Sequence, residues 1–379
     1  MQLNMKETKK RKVWIDVVKG IAILFIVFYH NPVATQNVLF AIPVFFFISG
    51  YLFNPNVTSR ALFKRRFNSL LRPYFFTVIL ISLAYIIFQD GPFFLWYLFW
   101  AIYANAPNLP KTALHLWFLP TLFLTTVFVW LVLNNISVLR KSLIGQCLFI
   151  CGFIICGFFS MRVFSEIRIP LYVTDFFMDD GHHFIINGVL RNPLHPKPQL
   201  LSDNHLILKG LPWGLDGVFL SSAFFISGYF AKIHELDKFL QKHIYKHILA
   251  IIVIFTVLAF HYFYDYKIDF PERQYNYLLI CTFVAFAGNY IMIYAANVID
   301  NWNNSITNAL KYIGKYSLVI FIFHPFFESK IYYTGVSILP RAKYIISVLA
   351  FIAGVCLPLL LNYFVLERFK FFRYWYYAK

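Results

Sequence analysis

The sequence predicts an all-α integral membrane protein with about ten transmembrane helices and both termini in the cytoplasm. Three observations carry this expectation. Of the 379 residues, 60% are hydrophobic and 13% charged, and the mean hydropathy is +0.63, whereas a soluble domain carries about 25% charged residues. Apolar runs of about twenty residues, enough for a helix to cross ~30 Å of hydrocarbon, recur along the whole chain. The net charge of +17 is also unevenly placed. With the N-terminus inside, 22 of the 34 Lys and Arg fall in cytoplasmic segments and 11 in external ones, Lys19 being the one left within a span. That is the positive-inside bias of multispanning proteins, and a nucleic-acid partner is not needed to explain it.

The expected spans follow in order. The first, 13–30, comes after five basic residues; Asp16 and Lys19 interrupt its apolar part and no small-residue cleavage site follows, so it reads as a retained span and not a signal peptide. The second, 37–53, leads into a basic loop, and Pro73 and Tyr74 open the third, 73–89. Residues 92–103 are aromatic but too short to span, which predicts an interfacial helix. Spans 113–133 and 142–160 are followed by an external loop, 161–211, with five basic and five acidic residues. Spans 212–231, 245–264, 277–299, 315–332 and 344–366 complete the set, the ninth weakened by His324. Residues 1–379 thus form a single membrane domain, expected in the plasma (inner) membrane with lipid as its surroundings.

The cysteines carry no evident chemistry. Cys147, Cys151, Cys156, Cys281 and Cys356 all fall within spans and form no CxxC, so small apolar packing is the expectation. In the external loop, Asp179, Asp180, His182, His183, His195 and His205 match no metal-ligand spacing, and no metal is expected.

Chemistry concentrates in the first span. Asp16, Lys19 and His30 sit on a segment otherwise apolar enough to cross a bilayer, where ionisable residues are rare and usually functional. Lys19 and His30 are eleven residues apart, about three turns and roughly 16 Å, and so share a face. Asp16 is placed to neutralise Lys19 by an i,i+3 contact. The competing reading has Lys19 snorkelling to the cytoplasm and His30 at a wet helix end. One further pattern stands out: Phe46-Phe-Ile-Ser-Gly-Tyr51 recurs as Phe224-Phe-Ile-Ser-Gly-Tyr229. Both spans run inward in this topology, so the copies lie parallel, with glycines that permit close approach of a helix or ligand chain. Coincidence is its rival in a chain with 46 Phe.

Five segments together resemble the membrane acyltransferase-3 family. Asp16-Val-Val-Lys19-Gly-Ile-Ala-Ile with His30 is similar to its first helix, where a basic residue, ten intervening residues and a histidine recur; Lys in place of the commoner Arg resembles fucose 4-O-acetylases. Phe63-Lys-Arg65-Arg66-Phe-Asn-Ser-Leu-Leu-Arg72-Pro-Tyr74 resembles its basic loop. His115-Leu-Trp-Phe-Leu-Pro120, Leu211-Pro-Trp-Gly-Leu-Asp216 and Gly314-Lys-Tyr-Ser-Leu through His324-Pro325 are similar to three later helices. The resemblance covers nearly the whole chain. It implies an acyl-CoA-dependent O-acyltransferase that moves an acyl group, acetyl by preference, from cytoplasmic acyl-CoA to a hydroxyl of a cell-surface glycan or glycan precursor.

The residues fit that chemistry. Transfer from a thioester to a hydroxyl needs a base near neutral pH, and histidine is the natural side chain. His30 is expected to take the hydroxyl proton, with an acyl-histidine intermediate as the other route. Arg65, Arg66 and Arg72 stand where a nucleotide would arrive, and guanidinium forks suit phosphate oxygens; orientation by positive charge is the alternative. His115 and Asp216 open spans on the external side, so both are expected to join Lys19, Asp16 and His30 in catalysis, Asp216 by orienting an imidazole or simply as a helix-start charge. His324 is expected in the donor tunnel or satisfying a kinked backbone, and Glu328, one turn on, as a partner of His324 or Lys330. A transporter or lipid-linked glycan flippase using Lys19 and His30 as a proton relay is the alternative function. A structural scaffold would leave the intramembrane charges unexplained.

Overall fold

The computed structural model describes residues 13–33, 41–89, 94–106, 109, 111–136, 142–170, 185–186, 189–190, 199–200, 205–236 and 244–377. Its helices are α1 (Trp14–His30), α2 (Ala41–Tyr51), α3 (Ser59–Arg66), α4 (Arg72–Gln89), α5 (Phe94–Tyr103), α6 (Phe118–Asn135) and α7 (Leu143–Val163). They continue with α8 (Val218–Ile233), α9 (Tyr245–Phe263), α10 (Leu278–Asp300), α11 (Ser305–Lys315), α12 (Ser317–Ile338), α13 (Lys343–Leu361) and α14 (Lys370–Tyr376). Every expected span contains a helix, and the short aromatic stretch is α5. Among the described residues, 7 helical segments are long and apolar enough to cross a membrane. The other three expected spans are α1, with 17 residues and its ionisable groups, α2, with only 11, and α12, interrupted by Pro325. Of the external loop, Asp179, Asp180, His182, His183 and His195 lie outside the described residues. Its ends pair as antiparallel strands, Ile167–Pro170 with His205–Leu208.

Several helix starts are capped in the usual manner, a side-chain oxygen accepting an otherwise orphaned N–H: Thr58 from Ala61, Ser142 from Gly145 and Asn304 from Thr307. The repeated hexapeptide turns out to be a helix crossing. A Cβ on Gly50 would stand 1.7 Å from the Phe225 carbonyl oxygen, and one on Gly228 would stand 1.9 Å from that of Phe47. Each copy therefore lays its glycine against the backbone of the other, a contact no larger residue permits. The helices run parallel, as the topology requires: Phe46 and Phe224 both flank Phe270, while beyond α2 Phe53 meets Tyr229 and its carbonyl accepts from Lys232. The same device joins α1 to α11, where a Cβ on Gly314 would lie 1.7 Å from the Asp16 carbonyl oxygen.

Candidate active site

Three histidines from three elements meet at one end of α1. His30 is its last residue, His115 lies in the 3-10 turn Lys111–Trp117 ahead of α6, and His324 sits inside α12 just before Pro325. Their ring centroids are 5.0 Å apart for His30–His324, 5.3 Å for His115–His324 and 6.3 Å for His30–His115. The proline explains part of this arrangement. It has no N–H to give the Phe321 carbonyl, so that oxygen is freed from the helical ladder. His324 Nδ1 donates to it at 3.0 Å, sharing its proton with the Ile320 carbonyl. The next carbonyl, of Ile322, accepts from His115 Nε2 at 3.1 Å.

These bonds set the tautomers. A carbonyl oxygen only accepts, so each ring nitrogen facing one must carry the proton. His30 Nδ1 donates to the Ile26 carbonyl at 2.8 Å, which leaves Nε2 as the unprotonated nitrogen. By the same reasoning His324 keeps a bare Nε2, and His115 a bare Nδ1. His324 Nε2 is buried without a partner among the described residues. His30 is exposed at the end of α1, where an approaching molecule can reach it. As neutral rings the three thus offer proton acceptors, their own N–H groups being taken by carbonyls. Among the described residues no group of His, Cys, Asp or Glu could hold a metal ion.

The remaining expected residues separate into three places. Lys19 and Asp16 stay three helical turns from His30, where α11 packs on α1, and both engage neighbouring groups. Asp216 does not reach an imidazole. Its oxygens accept from Arg273 Nε at 2.8 Å and Nη2 at 3.1 Å and from the Leu211 N–H at 2.9 Å. The ion pair is almost fully buried, with side chains 3% and 0% exposed. The reason is backbone geometry. Gly210 takes φ +78, and Arg273's guanidinium fills the space where a Cβ would be. Ala104, Trp213 and Arg273 also adopt left-handed φ, strain that persists only where the surroundings over-determine it. Here Tyr103 OH donates to the Gly210 carbonyl, Asn105 to those of Lys209 and Leu211, and Trp213 Nε1 to that of Ile102. This clasp fixes the α9–α10 connection, whose Phe270 wedges against Phe46, Trp117 and Phe224 beside the histidines. In that connection burial holds the Asp269 carboxyl above the usual carboxylate range.

The arginines divide as well. Arg65 is exposed on α3 and Arg66 half-buried, its Nε without a partner among the described residues. Arg72 is instead occupied: Nη2 donates to the Tyr377 carbonyl at 2.6 Å and the guanidinium lies 4.5 Å from the Tyr374 ring. It anchors α14, and Phe76 stacks on Trp375 alongside. Reasoning from sequence missed Arg273, a loop cation 57 positions from its partner. It also missed Asn31, the true partner of Glu328.

A family model described as an acyltransferase domain matches residues 12–367. No curated protein and no solved structure matches the chain.

Proposed function

The chain belongs to the acyltransferase-3 family so matched, and on that premise we propose that it transfers an acyl group, acetyl by preference, from cytoplasmic acyl-CoA to a hydroxyl of a cell-surface glycan or glycan precursor. The observation that supports this most is the bare Nε2 of His30 at the exposed end of α1, its tautomer held by the Ile26 carbonyl. A hydroxyl arriving there gives its proton to that nitrogen as its oxygen attacks the thioester carbonyl. The new C–O bond forms, the C–S bond breaks, and the imidazolium returns the proton to the leaving sulfur. Once protonated, His30 Nε2 is the first ring N–H of the cluster not taken by a backbone carbonyl, so it also stabilises the charge developing on the carbonyl oxygen. The rings of His324 and His115 stand next to it, with centroids 5.0 and 6.3 Å from that of His30.

Arg65 and Arg66 receive the donor phosphates, for which guanidinium is suited. Arg66, half-buried with an unpartnered Nε, is the stronger candidate of the two. Lys19 supplies positive charge along α1 between that loop and His30, with Asp16 as its counter-charge. In this scheme the donor approaches from the cytoplasm and the acceptor from the far side of the plasma membrane, across ten spans with both termini inside.

Sidedness is the requirement to test. Single cysteines at Ser59 and Glu166, both exposed, in a background lacking the 5 native cysteines, are expected to react with an impermeant thiol reagent from opposite faces of sealed vesicles. Labelling of both from one face would contradict this topology and the transmembrane transfer built on it.

A further inference from the structure

Beside the histidines, one buried acid has no place in that scheme. Glu328 is 1% exposed and follows His324 by one turn of α12. Its Oε1 accepts a hydrogen bond from Asn31 Nδ2 at 2.9 Å, while Oε2 has no partner among the described residues. Asn31 is the residue after His30 and closes α1, its N–H donating to the Phe28 carbonyl. Its amide also donates to the Ser347 carbonyl at 2.9 Å, and its Oδ1 accepts from the Ser347 hydroxyl and the Val33 N–H. One amide thus fastens the end of α1 to α12 and α13 at the point where the His30 ring emerges. Gly354 leaves room for the clamp, since a Cβ there would lie 3.3 Å from Glu328 Cβ and 3.1 Å from Val27 Cγ1.

We propose that Glu328 is a positioning residue for acyl transfer: through Asn31 it holds the end of α1 and so aims His30 at the acceptor hydroxyl. The inference rests on His30 being the base. An ionisable group in a membrane span is expensive and kept for function, and a shift of about 1 Å at a reacting group costs about 10²-fold in rate. What the clamp needs from Glu328 is an acceptor oxygen at the Oε1 position, and glutamine supplies one.

The test compares kcat and KM of purified variants in detergent. Glu328→Ala is expected to lower kcat by about 10²-fold with KM for acyl-CoA unchanged, whereas Glu328→Gln keeps kcat within about threefold. Asn31→Ala should match Glu328→Ala, and the double variant should be no worse than either, because residues acting as one unit are not additive. If Glu328→Ala does not fold, Ser347→Ala, which removes only one bond to Asn31, is expected to lower kcat in the same direction. An unchanged kcat in Glu328→Ala, or in Ser347→Ala where that stands in, would overturn the proposal. So would a Glu328→Gln as inactive as the alanine variant. The two claims fail separately: if His30→Ala is dead while the Glu328 variants are normal, only the clamp is refuted, and if His30→Ala is active the base itself is wrong.

Discussion

Replacing His30 by alanine is expected to abolish acyl transfer while membrane insertion and thermal stability stay at wild-type level. His30 is exposed at the end of α1 and its one bond within the described residues is to a carbonyl of its own helix, so its loss leaves no buried group stranded. A positioned general base contributes about 10²–10⁴-fold, and the rate should fall by at least that much. Activity at wild-type level in His30→Ala would remove the base. Lys19, on the same helix, should behave differently. Lys19→Arg retains the charge and most of the activity. Lys19→Ala loses it, and replacing Asp16 and Lys19 together by apolar residues separates chemistry from burial, since no lone charge is then left in the membrane.

The second large effect is on stability. Asp216→Ala leaves the Arg273 guanidinium buried against Gly210 with its carboxylate gone, and breaking a buried pair in this way costs about 3–5 kcal/mol. Thermal unfolding in detergent should show that loss. Transfer should fall with it, because the α9–α10 connection carries Phe270 against Trp117 and Phe46. Replacing both Asp216 and Arg273 by apolar residues should recover part of the melting temperature, as no lone charge remains. An unchanged melting temperature in Asp216→Ala would mean that the clasp is held by the backbone bonds of Asn105 and Tyr103 alone.

Much of this architecture is legible without coordinates because lipid imposes a length on each apolar run and a sign on each loop. Of the three segments that depart from a full apolar helix, α1 and α12 carry His30 and His324, as expected where function overrides local consistency, while α2 is short and carries the glycine crossing. His30 was visible as an imidazole on an otherwise apolar helix, and the hexapeptide repeat as glycines at matched positions. Other features had no local signal. The sequence leaves His324 between lining the donor path and satisfying a kinked backbone; its bond to the Phe321 carbonyl fits the second, and its meeting with His30 and His115 has no signal in the sequence. Asp216 looked free to orient an imidazole, because its partner Arg273 arrives from a connection two helices later. Arg72 belonged by sequence to a basic loop, yet it opens α4 and is taken by the C-terminal segment. Each of these depends on pairing across the bundle, which periodicity does not encode.

The central claim is that this membrane protein uses a CoA thioester as donor, and direct titration tests it most closely. Calorimetric titration of the purified chain in detergent with CoA and with acetyl-CoA is expected to give saturable binding of both, since the phosphates are common to the two. Joint replacement of Arg65 and Arg66 by alanine should weaken both affinities by about 10-fold or more, as charge-assisted bonds of about 1.5–3 kcal/mol are lost. Neither ligand binding to the folded wild-type chain would contradict the account and return the alternative of a flippase or transporter.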